Sequence, residues 1–459
     1  MSINRAIFRQ YDVRGVVGTD LTEEVAYGIG RGYAALLAER GIAGAVAVGR
    51  DNRPSGAALR DALVRGLTES GVDVVDVGIV PTPLLYWALH HEAVVGGIQI
   101  TGSHNPPEYN GFKMCLGTAS LHGADIQTLY ERIVAGPMPS GQGTVRHAAV
   151  IDRYVHDIAT RVGPIARVDG SRLRVVYDCG TGAAALVAPQ LFDALGVDAI
   201  GLFTESDGTF PNHHPDPTVP ENLADCIAAV QTHGAEMGVA FDGDADRIGV
   251  VDAHGRIIWG DQLLILYARD VLARTGPGQP IIFDVKCSQA LSDGIAAAGG
   301  TPVMWKTGHS LIKEKMKSLQ APLAGEMSGH MFFSEGFYGH DDALYAAARL
   351  LRIVADSGKR IDALLADVPP YVSTPEIRID TDDETKFAIM AKAVPHFAAR
   401  YEVIDVDGVR VLFGDGWGLL RASNTQPVIV ARYEARTEQR LHEIRTIMET
   451  WVREQGITL

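Results

Sequence analysis

The sequence predicts an α/β protein: three related α/β domains with mixed, mostly parallel sheets, followed by a smaller C-terminal α+β domain. Three observations predict it. The chain has 459 residues, room for three or four domains of ~100–200 residues each. Its hydrophobic fraction of 46% and charged fraction of 21% are those of a globular protein. One pattern also recurs three times: a short apolar strand, an amphipathic helix, a second strand, and a third strand that ends in a polar loop.

In the first unit the strands fall at 45–49, 72–77 and 97–100, with a helix near 56–70. The first ends at Arg50-Asp51 and the third at Thr101-Gly102-Ser103-His104. In the second unit they fall at 173–177, 197–202 and 237–241, the last ending at Asp242-Gly243-Asp244-Ala245-Asp246-Arg247. In the third they fall at 280–283, 302–305 and 321–324, the last ending at Gly325-Glu326-Met327-Ser328-Gly329-His330. Strands alternating with helices indicate mostly parallel sheets, and ligands bind beyond the carboxyl ends of such strands. All three polar loops sit at such an end. After Pro369-Pro370 the pattern changes. Strands are expected at 374–379, 401–406, 408–413, 418–422 and 428–435, with helices near 384–400 and 438–454. The domains are therefore placed at 1–149, 150–254, 255–369 and 370–459.

Net charge is −15, which repels nucleic acid and anionic membranes, so neither is an expected partner. Anionic small molecules need only a locally basic cleft. The scattered Cys115, Cys179, Cys226 and Cys287 form no C-x-x-C pair and read as reduced, buried thiols. Residues 1–5 lack the apolar run of a signal peptide, and no run is long enough to span a bilayer. A cytoplasmic enzyme is expected.

Each polar loop has a chemical reading beside a plain one. Ser103, after Gly102, stands where a sharp turn exposes a hydroxyl able to carry a phosphoryl group. His104 and Asn105 add donors, and Lys113 adds charge. Taken alone, the loop is also an ordinary turn. Asp242, Asp244 and Asp246 supply hard oxygen ligands suited to Mg²⁺. An EF-hand would need Gly at Arg247 and Glu at Ala253. An aspartyl-phosphate site at Asp242 would need Thr or Val where Asp246 stands. Glu326 and Ser328 could grip neighbouring sugar hydroxyls or cap a helix. Arg421-Ala422-Ser423-Asn424-Thr425 could cradle phosphate or form a polar hairpin loop. Tyr11-Asp12-Val13-Arg14, Asp284-Val285-Lys286 and Lys306-Thr307-Gly308-His309 taken singly read as surface groups. Asp178-Cys179-Gly180-Thr181-Gly182 lacks the full G-x-G-x-x-G and reads as a tight turn.

Together these segments resemble the α-D-phosphohexomutase family, most closely its bacterial mannose/glucose branch, over nearly the whole chain. The matching motifs are Thr101–Pro106 with Asn110-Gly111-Phe112-Lys113, then Asp242/Asp244/Asp246 with Arg247, then Glu326/Ser328, then Arg421/Ser423/Asn424/Thr425. Ala245 stands where Gly is frequent in the family, and Gln426 where Thr is. Met327 stands where glucosamine mutases tend to have Gln.

The resemblance implies four domains around a central cleft and an intramolecular phosphotransferase, an isomerase acting on hexose phosphates of mannose, glucose or both. It implies phosphorylated Ser103 as carrier, with Mg²⁺ on Ser103, Asp242, Asp244 and Asp246. A hexose 1,6-bisphosphate, such as glucose 1,6-bisphosphate, would be intermediate and activator. Arg14, His104, Lys113, Arg247, His309 and His330 would serve the chemistry. Tyr11, Lys286, Glu326, Ser328, Arg421, Ser423, Asn424 and Thr425 would hold substrate. Lys113, His330 and His309 are the candidate proton carriers.

Overall fold

Strand pairing follows the repeat in the computed structural model, which describes residues 3–423 and 427–458. Ala45–Arg50 lies between Val74–Ile79 and Val94–Ile100, parallel to both. Arg174–Asp178 lies likewise between Asp198–Leu202 and Met237–Phe241. Pro280–Asp284 lies between Thr301–Trp305 and Leu323–Gly325. The spatial order third–first–second thus recurs in three sheets. Strands covered by helices on both faces carry continuous apolar runs rather than alternation. Val46, Ala47 and Val48 are all fully buried for that reason.

A fourth strand that the repeat pattern does not reveal completes each unit. Tyr109–Leu116, Ile248–Asp252 and Met331–Phe333 run back antiparallel to the third strand. Each polar loop is therefore the turn of an antiparallel hairpin, held at both ends. Such a return needs only a short turn, whereas a parallel strand needs a crossover. Val13–Val16 adds to the first sheet beside Tyr109–Leu116, which sets Arg14 opposite Gly111.

Among the described residues the C-terminal sheet is antiparallel throughout, built of Val372–Ser373, Ile377–Asp380, Glu402–Ile404, Val409–Leu412, Gly416–Ala422 and Val428–Ala435. Helices Asp383–Ala398 and Glu438–Glu454 pack on it. Asp382 caps the first by accepting from the N–H groups of Glu384 and Thr385, and Thr437 caps the second through Arg440 N.

One hydrophobic core runs from helix Thr82–His91 of the first unit through the second and third units. The C-terminal sheet has its own core. Its contact with the third unit combines a small apolar cluster, Val285 with Trp417 and Leu419, with polar bonds. The buried Arg410 guanidinium donates to the carbonyls of Val285 and Cys287, each at 2.7 Å, and lies 3.7 Å over the Trp417 ring. Arg432 donates to the Lys286 carbonyl. Glu434 accepts from Gln289 N at 2.9 Å. These bonds fix the loop that presents Lys286. All four cysteines are buried and unpaired. Among the described residues no helix is long and apolar enough to cross a membrane.

Candidate active site

Ser103 sits in a strained turn. Its φ of +51° is left-handed, which costs an L-residue about 1–2 kcal/mol. The turn is held by Arg53, whose side chain is fully buried. The guanidinium donates to the carbonyls of Ser103 (2.7 Å), Asn105 (2.6 Å), Pro106 (2.6 Å) and Tyr109 (3.0 Å). It pairs with Asp51 at 3.1 Å and lies 5.1 Å over Phe210 of the second unit. A Cβ on Gly102 would meet Arg53 Cζ at 2.5 Å, so only glycine fits there. Asp51 in turn accepts from Thr101 Oγ1 at 2.8 Å, and Thr101 Oγ1 from Ser103 N at 2.8 Å. With the carbonyls gathered on Arg53, the Ser103 hydroxyl turns the other way. It donates to Asp242 Oδ2 at 3.1 Å and lies 3.2 Å from His104 Nδ1.

Asp242, Asp244 and Asp246 are fully buried, each offering an oxygen within 4.8 Å of the others. Ala245 makes their turn possible at φ +60°, a conformation glycine adopts freely, which accounts for glycine being frequent there in the resemblance above. Asp242 Oδ1 accepts from the N–H groups of Asp246 and Arg247. Burial, then repulsion from Asp246 and Asp244, pushes the Asp242 carboxyl well above the usual range. Burial also opposes ionisation of Asp244, but Lys113 overcomes it and holds that carboxyl low. The Lys113 ammonium donates to Asp244 at 2.7 Å and Asp246 at 2.5 Å. Burial would lower its pKa, yet those carboxylates raise it, so Lys113 stays charged. Thr82 Oγ1 donates to Asp244 as well. One oxygen each of Asp244 and Asp246 is buried with no hydrogen-bond partner. An all-oxygen donor set with unpartnered carboxylate oxygens fits Mg²⁺.

Around this centre Arg247 Nε donates to His330 Nε2 at 2.9 Å. That assigns the ring proton to Nδ1, which faces Asp341 at 3.1 Å. His309 stacks on His330 with centroids 5.9 Å apart, and its edge faces Tyr11 at 6.3 Å. Burial, then Lys313, holds His309 well below the ordinary histidine range. Burial, then Arg247 and Arg14, does the same to His104. Both rings are neutral at pH 7. Arg14 donates to Asn105 Oδ1 at 2.9 Å and pairs with Asp12.

Glu326 accepts from Gly308 N and Ser328 Oγ, each at 3.1 Å. Burial raises its carboxyl pKa while His330, Lys286 and Arg247 lower it. Lys286 pairs with Glu376 at 3.2 Å, and Arg421 with Asp407 at 2.9 Å. Ser423 is buried. Asn424 and Thr425, expected to hold phosphate, lie outside the described residues.

The side chains from all four sheets therefore converge. Sequence reasoning missed Asp51, Arg53, Thr82, Asp341 and Asp407. Asp51 and Arg53 follow the end of the first strand, the position that made the other loops suspect, and that signal could have found them.

Comparison with known proteins comes to the same place. Four domain models match in order, described as phosphoglucomutase/phosphomannomutase alpha/beta/alpha domain I (residues 5–137), domain II (152–255), domain III (259–371) and C-terminal domain (376–450). The chain is 49% identical over 444 residues to a phosphomannomutase/phosphoglucomutase of Pseudomonas aeruginosa, covering 96% of this chain and 94% of that protein. It is 46% identical over 450 residues to a phosphoglucomutase of Neisseria gonorrhoeae, covering 96% of each. The crystal structure of a phosphoglucomutase/phosphomannomutase family protein from Burkholderia thailandensis superposes with a TM-score of 0.91 at 45% identity, covering 99% of this chain and 98% of that one.

Proposed function

The chain belongs to the phosphoglucomutase/phosphomannomutase family and is a hexose-phosphate mutase, and on that premise we propose that phosphorylated Ser103 carries the phosphoryl group. The substrates are hexose 1-phosphate and hexose 6-phosphate, of mannose, glucose or both, and a hexose 1,6-bisphosphate is the intermediate. The observation that carries this reading is the hydrogen bond from the Ser103 hydroxyl to Asp242, one of three buried carboxylates brought from a different sheet. Charged metabolites of this kind fit a cytoplasmic location.

In the first half-reaction the Ser103 Oγ–P bond breaks as a bond forms from phosphorus to the sugar's free hydroxyl oxygen. The hydroxyl proton leaves to a base, and Ser103 Oγ takes one up. After the bisphosphate turns over, its other phosphate returns to Ser103 by the reverse exchange. Mg²⁺ held by Asp242, Asp244, Asp246 and a seryl phosphate oxygen would neutralise charge on the transferring group. Lys113, Arg247 and Arg14 serve the same charge. Lys113 donates to Asp244 and Asp246, two of the proposed metal ligands, and stays a candidate proton carrier beside them. His330 and His309 are the other candidates, and His330 can serve only when Arg247 Nε, which now donates to its Nε2, turns away to the phosphate. Glu326 and Ser328 hold sugar hydroxyls, beside Tyr11, His309 and Lys286. Arg421 and Ser423, with Asn424 and Thr425, hold the non-reacting phosphate.

The test is an assay with mannose 1-phosphate, glucose 1-phosphate and glucosamine 1-phosphate, each with Mg²⁺ and trace glucose 1,6-bisphosphate. Turnover of the mannose or glucose substrate is expected; inactivity on both sinks the proposal. The metal assignment has a test independent of turnover. Saturating Mg²⁺ should raise the unfolding midpoint of the wild type, since a ligand at 100 times its Kd stabilises by about 2.7 kcal/mol. Asp242→Asn should lose most of that rise. An equal rise in both proteins would place the ion elsewhere.

A further inference from the structure

A hairpin turn in the C-terminal domain carries a carboxylate that the chemistry above does not use. Val409–Leu412 pairs with Gly416–Ala422 in a register that sets Val409 opposite Leu420. The turn before Val409 therefore ends beside Arg421. Gly408, at φ +81°, lies so close that a Cβ there would sit 2.2 Å from the Leu420 carbonyl oxygen and 2.7 Å from Arg421 Cα. This close approach brings Asp407 against the arginine. Asp407 Oδ2 accepts from Arg421 Nε at 2.9 Å. The same oxygen accepts from the backbone N–H of Thr307, in the third domain, at 3.1 Å. The two side chains are only 14% and 6% exposed, so solvent screens the pair weakly.

The Thr307 segment is gripped from other sides too. Tyr11 of the first domain donates to the Thr307 carbonyl at 2.8 Å. Thr307 Oγ1 donates to Asp284 at 3.0 Å, and Gly308 N to Glu326 at 3.1 Å. His309 follows directly. Asp407 is thus the point where the C-terminal domain reaches this junction.

We propose that Asp407 is a positioning residue for phosphate recognition: it anchors Arg421 by its Nε edge and ties the C-terminal domain to the Thr307 loop. A guanidinium already fixed along one edge loses less rotational freedom when an anion binds it. The inference rests on the reading that Arg421 holds the non-reacting phosphate. That phosphate is on C6 in one half-reaction and on C1 in the other, so Asp407 serves both directions equally.

The experiment compares full-length wild type, Asp407→Ala, Asp407→Asn and Arg421→Lys with Mg²⁺ and bisphosphate. It reads kcat and KM for hexose 1-phosphate and hexose 6-phosphate, inhibition by inorganic phosphate, and the unfolding midpoint. Loss of one charge-assisted hydrogen bond predicts that Asp407→Ala raises both KM values about tenfold. Phosphate inhibition should weaken by the same factor, with kcat close to wild type and the unfolding midpoint lowered, since the buried Arg421 loses its carboxylate. Asp407→Asn keeps an acceptor for Thr307 N–H and should recover part of the loss. Unchanged or lowered KM values in Asp407→Ala, or a fall in kcat alone, overturn the proposal. If Arg421→Lys also keeps wild-type KM values, the assignment of Arg421 to phosphate fails as well. If Arg421→Lys raises them and Asp407→Ala does not, only the role of Asp407 fails.

Discussion

Ser103→Ala is expected to abolish mutase turnover, by a factor of about 10⁴ or more, with the fold intact. The size follows from the role. A carrier oxygen has no substitute within the site, because the other hydroxyl in the loop, Thr101, is committed to Asp51 and Ser103 N. The fold should tolerate the change. Alanine accepts the same backbone region at Ala245, where φ is +60°. Asp242 would lose one hydroxyl donor but keep two backbone N–H groups on its other oxygen. Such a loss is worth about 1 kcal/mol. The measurement pairs a turnover assay with mass analysis after incubation with bisphosphate. Wild type should carry an acid-stable phosphoryl group on Ser103 and the variant none. Full turnover by the variant, or an acyl phosphate on Asp242, would end the serine mechanism.

That prediction was within reach of the sequence, and the reasons are local. Asp242, Asp244 and Asp246 follow the apolar run 239–241, where three close carboxylates have few explanations other than a cation. Ser103 and Glu326 end the corresponding strands of their own units, so the repeat pointed to them even where each loop alone was ambiguous. What escaped was long-range. The return strands Tyr109–Leu116, Ile248–Asp252 and Met331–Phe333 follow their partners too closely to show as separate units of the repeat. Thr82 opens a helix and gives no hint that it meets Asp244, 162 positions away. Asp341 stands next to Asp342, which caps helix Ala343–Ser357 and so explains an acidic pair without any site. Arg53 reads as one more polar residue between a strand and a helix. Its meaning lies in four carbonyls of a loop about fifty residues on, and carbonyls leave no mark in a sequence.

Arg53→Met should have the largest effect on stability. Methionine fills similar space but donates nothing. The variant leaves the carbonyls of Ser103, Asn105, Pro106 and Tyr109 without this donor, and it leaves the buried Asp51 without its paired guanidinium. Breaking a buried pair in this way costs about 3–5 kcal/mol. The loss should depend on pH. Burial already pushes the Asp51 carboxyl upward and Arg53 draws it down, so removing Arg53 raises it further. A group whose folded-state pKa is raised gives stability that is present below the unfolded value of about 3.9 and lost as pH rises through the folded value. The deficit against wild type should therefore be smaller at pH 5 than at pH 8 in urea unfolding. An equal deficit at both would mean that the carbonyls, not Asp51, set the cost. A deficit under about 0.5 kcal/mol would remove Arg53 as the hub of the turn. Turnover should fall too, because the left-handed conformation of Ser103 would no longer be held. The two substitutions thus separate two properties of one loop: Ser103→Ala takes the chemistry and spares the fold, whereas Arg53→Met takes the geometry on which that chemistry depends.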